Sequence, residues 1–197
     1  MKIRNIALGV LALSLVGGAT AGADEVIQTW KGKKVRVEVN GSELDGGGIQ
    51  IDGKTYLPIR ALSDTLQALL KANPDGVHIN KPNVHLLLYT GDKNAMKPFG
   101  NVYQGTHEFA VFVQVDNLQT KAHSLKTTVV DPQGQTVDTL VYKMTDENRD
   151  NFWYATSPFK IDFKSTGQYK VRFYIRQTED SEFELLSEKA ILSMRRE

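Results

Sequence analysis

Four histidines, His78, His85, His107 and His123, are the first residues of this chain that could hold a metal or move a proton. No two of them stand at the i, i+4 spacing of a helix or the H-x-H spacing of a strand that makes a ready metal site. His78 and His85 fall on neighbouring predicted strands and could converge. With no thiolate in the chain, a copper site there would need nitrogen and oxygen donors. Histidines on exposed strands need no such explanation, and no metal ligand is assigned. The serines are plentiful, but none sits in G-x-S-x-G. Asp146, Glu147 and Asp150 cluster in TDENRD. Catalytic carboxylate pairs need a set separation across a cleft, and a polar run without periodicity reads as a solvated loop. A calcium site built on oxygen ligands is the lesser reading, since the spacing is not that of an EF-hand. The chain is therefore expected to be no enzyme and to carry no cofactor.

Phe152, Trp153 and Tyr154 are consecutive. On a strand Trp153 faces opposite to its neighbours, so one side must be core and the other can be exposed. An exposed aromatic there could stack on sugar rings or anchor a protein partner, which makes Trp153 and Tyr154 the candidate partner-binding residues. The competing reading, favoured by immunoglobulin-like precedent, puts Trp153 in the sandwich core.

The elements that must position these residues begin after a processing segment. Lys2 and Arg4 precede a short apolar run, Ile6 to Val16, and the small residues Ala19 to Ala23 precede Asp24 and Glu25. That is the layout of a secretory signal peptide. The run is well short of the ~20 residues that span a bilayer. Cleavage is expected after Ala23, with Ala21 as the alternative, so residues 1–23 are the signal peptide and the protein is secreted. There is no cysteine for a lipid anchor or a disulfide. Without Lys2 and Arg4 the basic count falls from 24 to 22 against 23 acidic residues, a net charge of about −1. A near-neutral chain has no electrostatic reason to seek nucleic acid or anionic lipid. The one basic run, Lys31, Lys33, Lys34 and Arg36, reads as a solvated strand edge.

Along KKVRVEVNGSEL the residues Val35, Val37 and Val39 alternate with Arg36 and Glu38, the period of a half-buried strand. Asn40-Gly41 and Asp52-Gly53 predict two tight hairpin turns. Pro58 ends the second strand pair and suits the first turn of a helix. Ile59, Leu62, Leu66, Leu69 and Leu70 then fall on one helical stripe, stopped by Asn73-Pro74-Asp75-Gly76. Short strands follow near 77–80 and 84–89. Gly91 to Asn101 lacks periodicity and reads as a linker. After it come HEFAVFVQV, SLKTTVV, TVDTLVYKM, FKIDF, YKVRFYI and FELLSEKAIL, short strands with frequent turns, which predict a sandwich. Ser165 to Val171 has the spacing of the tyrosine corner of immunoglobulin-like domains, with Tyr169 bonding back to the backbone upstream.

The stretch VRVEVNGSELDGGGIQIDGKTYLPIRALSDTLQALL resembles a bacterial family, the copper amine oxidase N-terminal-like or stalk domain. The residues that carry the resemblance are Val37, Val39, Asn40, Gly41, Ile49, Ile51, Asp52, Gly53, Thr55, Tyr56, Pro58, Ile59, Arg60, Ala61 and Leu62. It covers roughly residues 30 to 90 and departs from the family after Leu66, where the family has L-G and a strand with Trp. The resemblance implies an exported Gram-positive protein in which the domain accompanies other extracellular modules. It implies no amine oxidation: the N-Y-[DE] and H-x-H motifs of the oxidase site are missing. Tyr56 and Arg60 would pin the strand–helix junction.

The expected fold is an α+β N-terminal domain, an antiparallel sheet plus one helix, followed by an all-β immunoglobulin-like sandwich. The expected domains are the stalk domain at 24–91, the linker at 92–101 and the sandwich at 102–197. The expected function is a secreted, non-enzymatic binding or structural protein of the bacterial cell envelope, meeting a protein or a cell-wall glycan. The alternative is an extracellular inhibitor or ligand-binding protein that uses the sandwich loops.

Overall fold

The computed structural model describes residues 31–91, 95–147 and 149–195; the expected signal peptide lies outside them. The chain divides into two compact units, one up to Ala61 and one from Leu62.

The first unit carries β1 (Lys33–Val35), β2 (Glu38–Val39), β3 (Ser42–Glu43), β4 (Gly48–Ile51), β5 (Lys54–Tyr56) and the start of α1 (Ile59–Leu66). Strands β1, β4 and β5 form an antiparallel sheet in that order, and β2 pairs β3. Both predicted turns form. Asn40 and Gly41 have φ of 53° and 79°, and Asp52 and Gly53 have 47° and 75°. A hairpin closed by two residues needs positive φ at both. The expected single strand through Val39 breaks into β1 and β2, with Val35, Val37 and Val39 half-buried and Arg36 and Glu38 exposed. The basic run lies exposed on and beside the β1 edge, where Arg36 pairs with Glu38 at 2.8 Å and Glu43 at 3.3 Å.

The helix is shorter than its stripe predicted. Gln67 turns into the left-handed region at φ 54°. Its N–H donates to Asp64 O at 3.1 Å and that of Ala68 donates to Ser63 O at 2.8 Å. This pair of bonds closes a helix C-terminus. Leu69 and Leu70, expected on the helix, instead open β6 (Leu69–Asn73), which pairs antiparallel with β7 (Gly76–Asn80).

The rest of the second unit is a two-sheet sandwich. Its strands are β8 (Asn83–Thr90), β9 (Lys97–Pro98), β10 (Val102–Tyr103), β11 (Gly105–Asp116), β12 (Ser124–Val130), β13 (Thr136–Lys143), β14 (Phe152–Ala155), β15 (Phe159–Phe163), β16 (Gly167–Arg176) and β17 (Glu184–Met194). The front sheet runs β14-β11-β8-β9, with β15 also pairing β11 beyond β14. The back sheet runs β10-β17-β16-β12-β13, with β10 parallel to β17. Val111, Val113 and Val115 from the front meet Val171, Phe173 and Ile175 from the back, all fully buried. This alternation of inward apolar residues from two facing sheets is immunoglobulin-like. The tyrosine corner forms as well: Ser165 N–H donates to the Tyr169 hydroxyl at 3.2 Å, and Tyr169 is buried.

The sandwich begins earlier in the chain than the expected residue 102. Strand β8, expected in the N-terminal domain, pairs with β11 along seven residues from Asn83↔Asp116 to Tyr89↔Ala110. Its inward residues Val84, Leu86 and Leu88 join the core. The stretch expected as linker folds back on it in the part described. Lys97 and Pro98 pair with Thr90 and Tyr89, and Phe99 stacks on Phe109 with centroids 4.6 Å apart and planes 8° from parallel. An aromatic pair of this geometry buries large apolar area, which a free linker would leave in water.

Candidate functional site

The front sheet turns a side away from the core. Strand β14 places Phe152 inward, where it is buried, and Trp153 outward, where it is 72% exposed. The reading that favoured Trp153 in the core is thus corrected. Period two fixes only that neighbours oppose each other, and the pairing of β14 with β11 decides which side is in.

Around Trp153 the register sets the neighbours. Trp153 stands opposite Gln114, which stands opposite His85 on the next strand. One row on, Ala155, Phe112 and Leu87 are aligned across the same three strands. The Trp153 indole and the Phe112 ring stack at 5.9 Å with planes 21° apart. Leu87 is 47% exposed. Gln114 Nε2 donates to Asp116 Oδ2 at 2.9 Å, leaving its amide carbonyl at the rim. The result is an exposed apolar patch edged by an amide and an imidazole.

Tyr154, the second candidate, lies on the other side of the strand. It is half-buried, with its ring 4.9 Å from that of Tyr142 on β13. Burial pushes its hydroxyl above the ordinary value, and Tyr142 adds to the shift. A small cleft of about 80 Å³ beside Trp153 is lined by Tyr142, Met144, Asp146, Arg149, Phe152 and Tyr154, among others. The structure therefore separates the two candidates: Trp153 faces out, and Tyr154 closes the rim between the sheets.

The other polar candidates do not converge. His78 lies on β7, which pairs β6, while His85 lies on the front sheet, so no ladder joins them. His107 Nε2 donates to Tyr103 O at 2.8 Å and its ring meets Phe163 edge-on. Among the described residues, no three His, Cys, Asp or Glu side chains come together to hold a metal ion. Asp146 is paired with Arg149 at 3.1 Å, while Glu147 turns to His123, 3.8 Å away.

One arrangement escaped the sequence reading. Ser124 Oγ lies 2.9 Å from His123 Nδ1, and Glu147 Oε1 approaches the far nitrogen. It has the residue types of a nucleophile–base–acid set. Ser124 is only 1% exposed, however, so its hydroxyl has no path to a substrate. Beside the set, other bonds pin the loop. Ala122 N–H donates to Glu147 O, Leu118 N–H to Asp150 O, and Asn117 N–H to Asn151 Oδ1, all at 2.9 to 3.0 Å. Adjacent His and Ser where β12 begins gave no signal, because the contact with Glu147 is made only in the fold.

No family model matches the chain, the stretch resembling the stalk domain included. No curated protein matches it either. Among solved structures the chain is similar to the crystal structure of a CARDB domain from Pyrococcus furiosus, solved in complex with di-metal ions. The identity is 13%, over 58% of this chain and 96% of that one, with a TM-score of 0.35.

Proposed function

We propose that this chain is a secreted, non-enzymatic binding protein of the bacterial cell envelope, and that the outer side of its front sheet meets a cell-wall glycan. The observation that carries the reading is Trp153, 72% exposed and laid over Phe112. Large exposed aromatics on a sheet mark contact surfaces. A flat indole beside Gln114 and His85 suits a sugar ring, which offers an apolar face and hydroxyls at its rim. The signal-like N-terminus, Lys2 to Ala23, supports export. The stalk-domain motif and its two tight turns support a first unit that serves as an attachment module of an exported Gram-positive protein.

The test is binding of residues 24–197 to isolated cell walls, before and after protease treatment of the walls. Binding that survives the protease and is lost after glycan digestion fits this reading. Binding lost to the protease would move the partner to a wall protein. A second reading, an inhibitor of an extracellular protein, is favoured by the loop after Met144, which the bonds to Leu118, Ala122 and Asn117 hold in place. Loss of partner binding on an Arg149→Ala change, with Trp153→Ala silent, would select it.

A further inference from the structure

The back sheet ends on β13, eight residues long, with no described strand on its other side. One bond fixes which way its backbone points. Met144 N–H donates to His123 O at 3.0 Å, across to the β12 side. Backbone N–H groups alternate sides along an antiparallel strand, so those of Leu140 and Tyr142 also turn to β12. Those of Thr139, Val141 and Lys143 face the open edge. A row of unpaired groups of this kind is a template for another strand.

The outward side chains of this edge match those of a second copy. Two β13 strands laid antiparallel with the axis at Leu140 put Thr139 of each opposite Val141 of the other, and the two Leu140 residues face each other. Val141 is 58% exposed and Leu140 packs against the core from the rim. β-Branched pairs across a ladder are favourable. The edge is therefore self-complementary in a register that keeps outward residues outward.

One side chain blocks it. The Thr139 N–H is already taken by Asp138 Oδ1 at 2.7 Å. Asp138 lies on the same side of the strand as Leu140, so an added strand would also strip water from its carboxylate, a costly step. An inward-pointing charge is one way a sheet edge is kept from pairing. We propose that Asp138 guards the open edge of β13, and that its removal lets two copies of the chain join edge to edge.

The test is sedimentation velocity of the whole chain over a hundred-fold range of concentration. Wild type should stay at monomer mass throughout. Asp138→Ala should shift reversibly to twice that mass as concentration rises. Asp138→Asn, whose amide oxygen still accepts from Thr139, should associate less than the alanine variant. Val141→Lys placed in the Asp138→Ala background should return the chain to monomer. A folded Asp138→Ala chain, judged by near-ultraviolet circular dichroism, that stays monomeric overturns the proposal. If that variant does not fold, Asp138→Val, which favours strand, is read by the same criteria. Unfolding of both overturns it too, since Asp138 would then hold the fold rather than the edge.

Discussion

Trp153 on β14 and Phe112 on β11 stack on the outer side of the front sheet, centroids 5.9 Å apart, although their Cα partners across the ladder are Gln114 and Ala155. The contact is diagonal. It sets the indole against the neighbouring ring and leaves most of it in water. A tryptophan kept there contributes little to stability. Truncating it is expected to change unfolding free energy by no more than about 2 kcal/mol, combining the usual surface range with one lost aromatic pair. Urea unfolding of Trp153→Ala followed by far-ultraviolet circular dichroism checks this.

The corner bond gives a second expectation. Tyr169→Phe keeps the ring against Phe163, 4.7 Å away, and removes only the hydroxyl that accepts from Ser165. One neutral hydrogen bond is worth about 1 kcal/mol net. The urea midpoint should fall by the equivalent amount with the slope unchanged. An unchanged midpoint would mean that the bond does not hold the corner.

At the end of α1 a substitution should stabilise. Gln67 sits at φ 54°, where a side chain is strained. Gln67→Gly removes a strain of roughly 1 kcal/mol, offset in part by the greater freedom of glycine in the unfolded chain. A higher melting temperature for the glycine variant is the expected result, and a lower one would contradict the observed helix end.

Phe99 tests where the sandwich begins. If the chain around it were a free linker, Phe99→Ala would cost nothing. Stacked on Phe109 and half-buried, it should cost about 1–3 kcal/mol. Thermal unfolding of the variant separates the two.

Acid should weaken one outer brace of the back sheet. Burial alone would raise the Glu188 carboxyl, but hydrogen bonds from Lys170 at 2.9 Å and Arg172 at 2.7 Å outweigh it and hold it below its ordinary value. A depressed carboxyl contributes stability that is fully present above the unfolded-state value and is lost as pH falls through the folded one. Wild type should therefore lose more of its melting temperature than Glu188→Gln between pH 6 and about 3, a window set by the ordinary carboxylate range. Equal losses would show that the pair contributes nothing measurable.

What the sequence disclosed follows from how local each signal is. Asn40-Gly41 and Asp52-Gly53 were legible because a two-residue turn demands positive φ at the residues themselves. The tyrosine corner was legible because its bond closes over four residues, Ser165 to Tyr169. The helix end was hidden. Gln67 is not a residue that announces a left-handed turn, and Leu69 and Leu70 extend the helical stripe although they lie on a strand. Strand β8 looked like part of the first domain because its partner, β11, follows some twenty residues later. The side taken by Trp153 was the least legible. Alternation set it against Phe152 and Tyr154, but only the pairing of β14 with β11, which turns Phe152 into the core, decided between in and out.

The central claim, that the Trp153 side of the front sheet binds the cell wall, is tested most directly by co-sedimentation. Residues 24–197, wild type and Trp153→Ala, would be spun with isolated walls, with folding of the variant checked beforehand. The account predicts that wild type pellets and that Trp153→Ala, still folded, stays in the supernatant at the same wall concentration. Equal pelleting of the two would contradict it by moving attachment to another surface, and no pelleting of either would contradict wall binding itself.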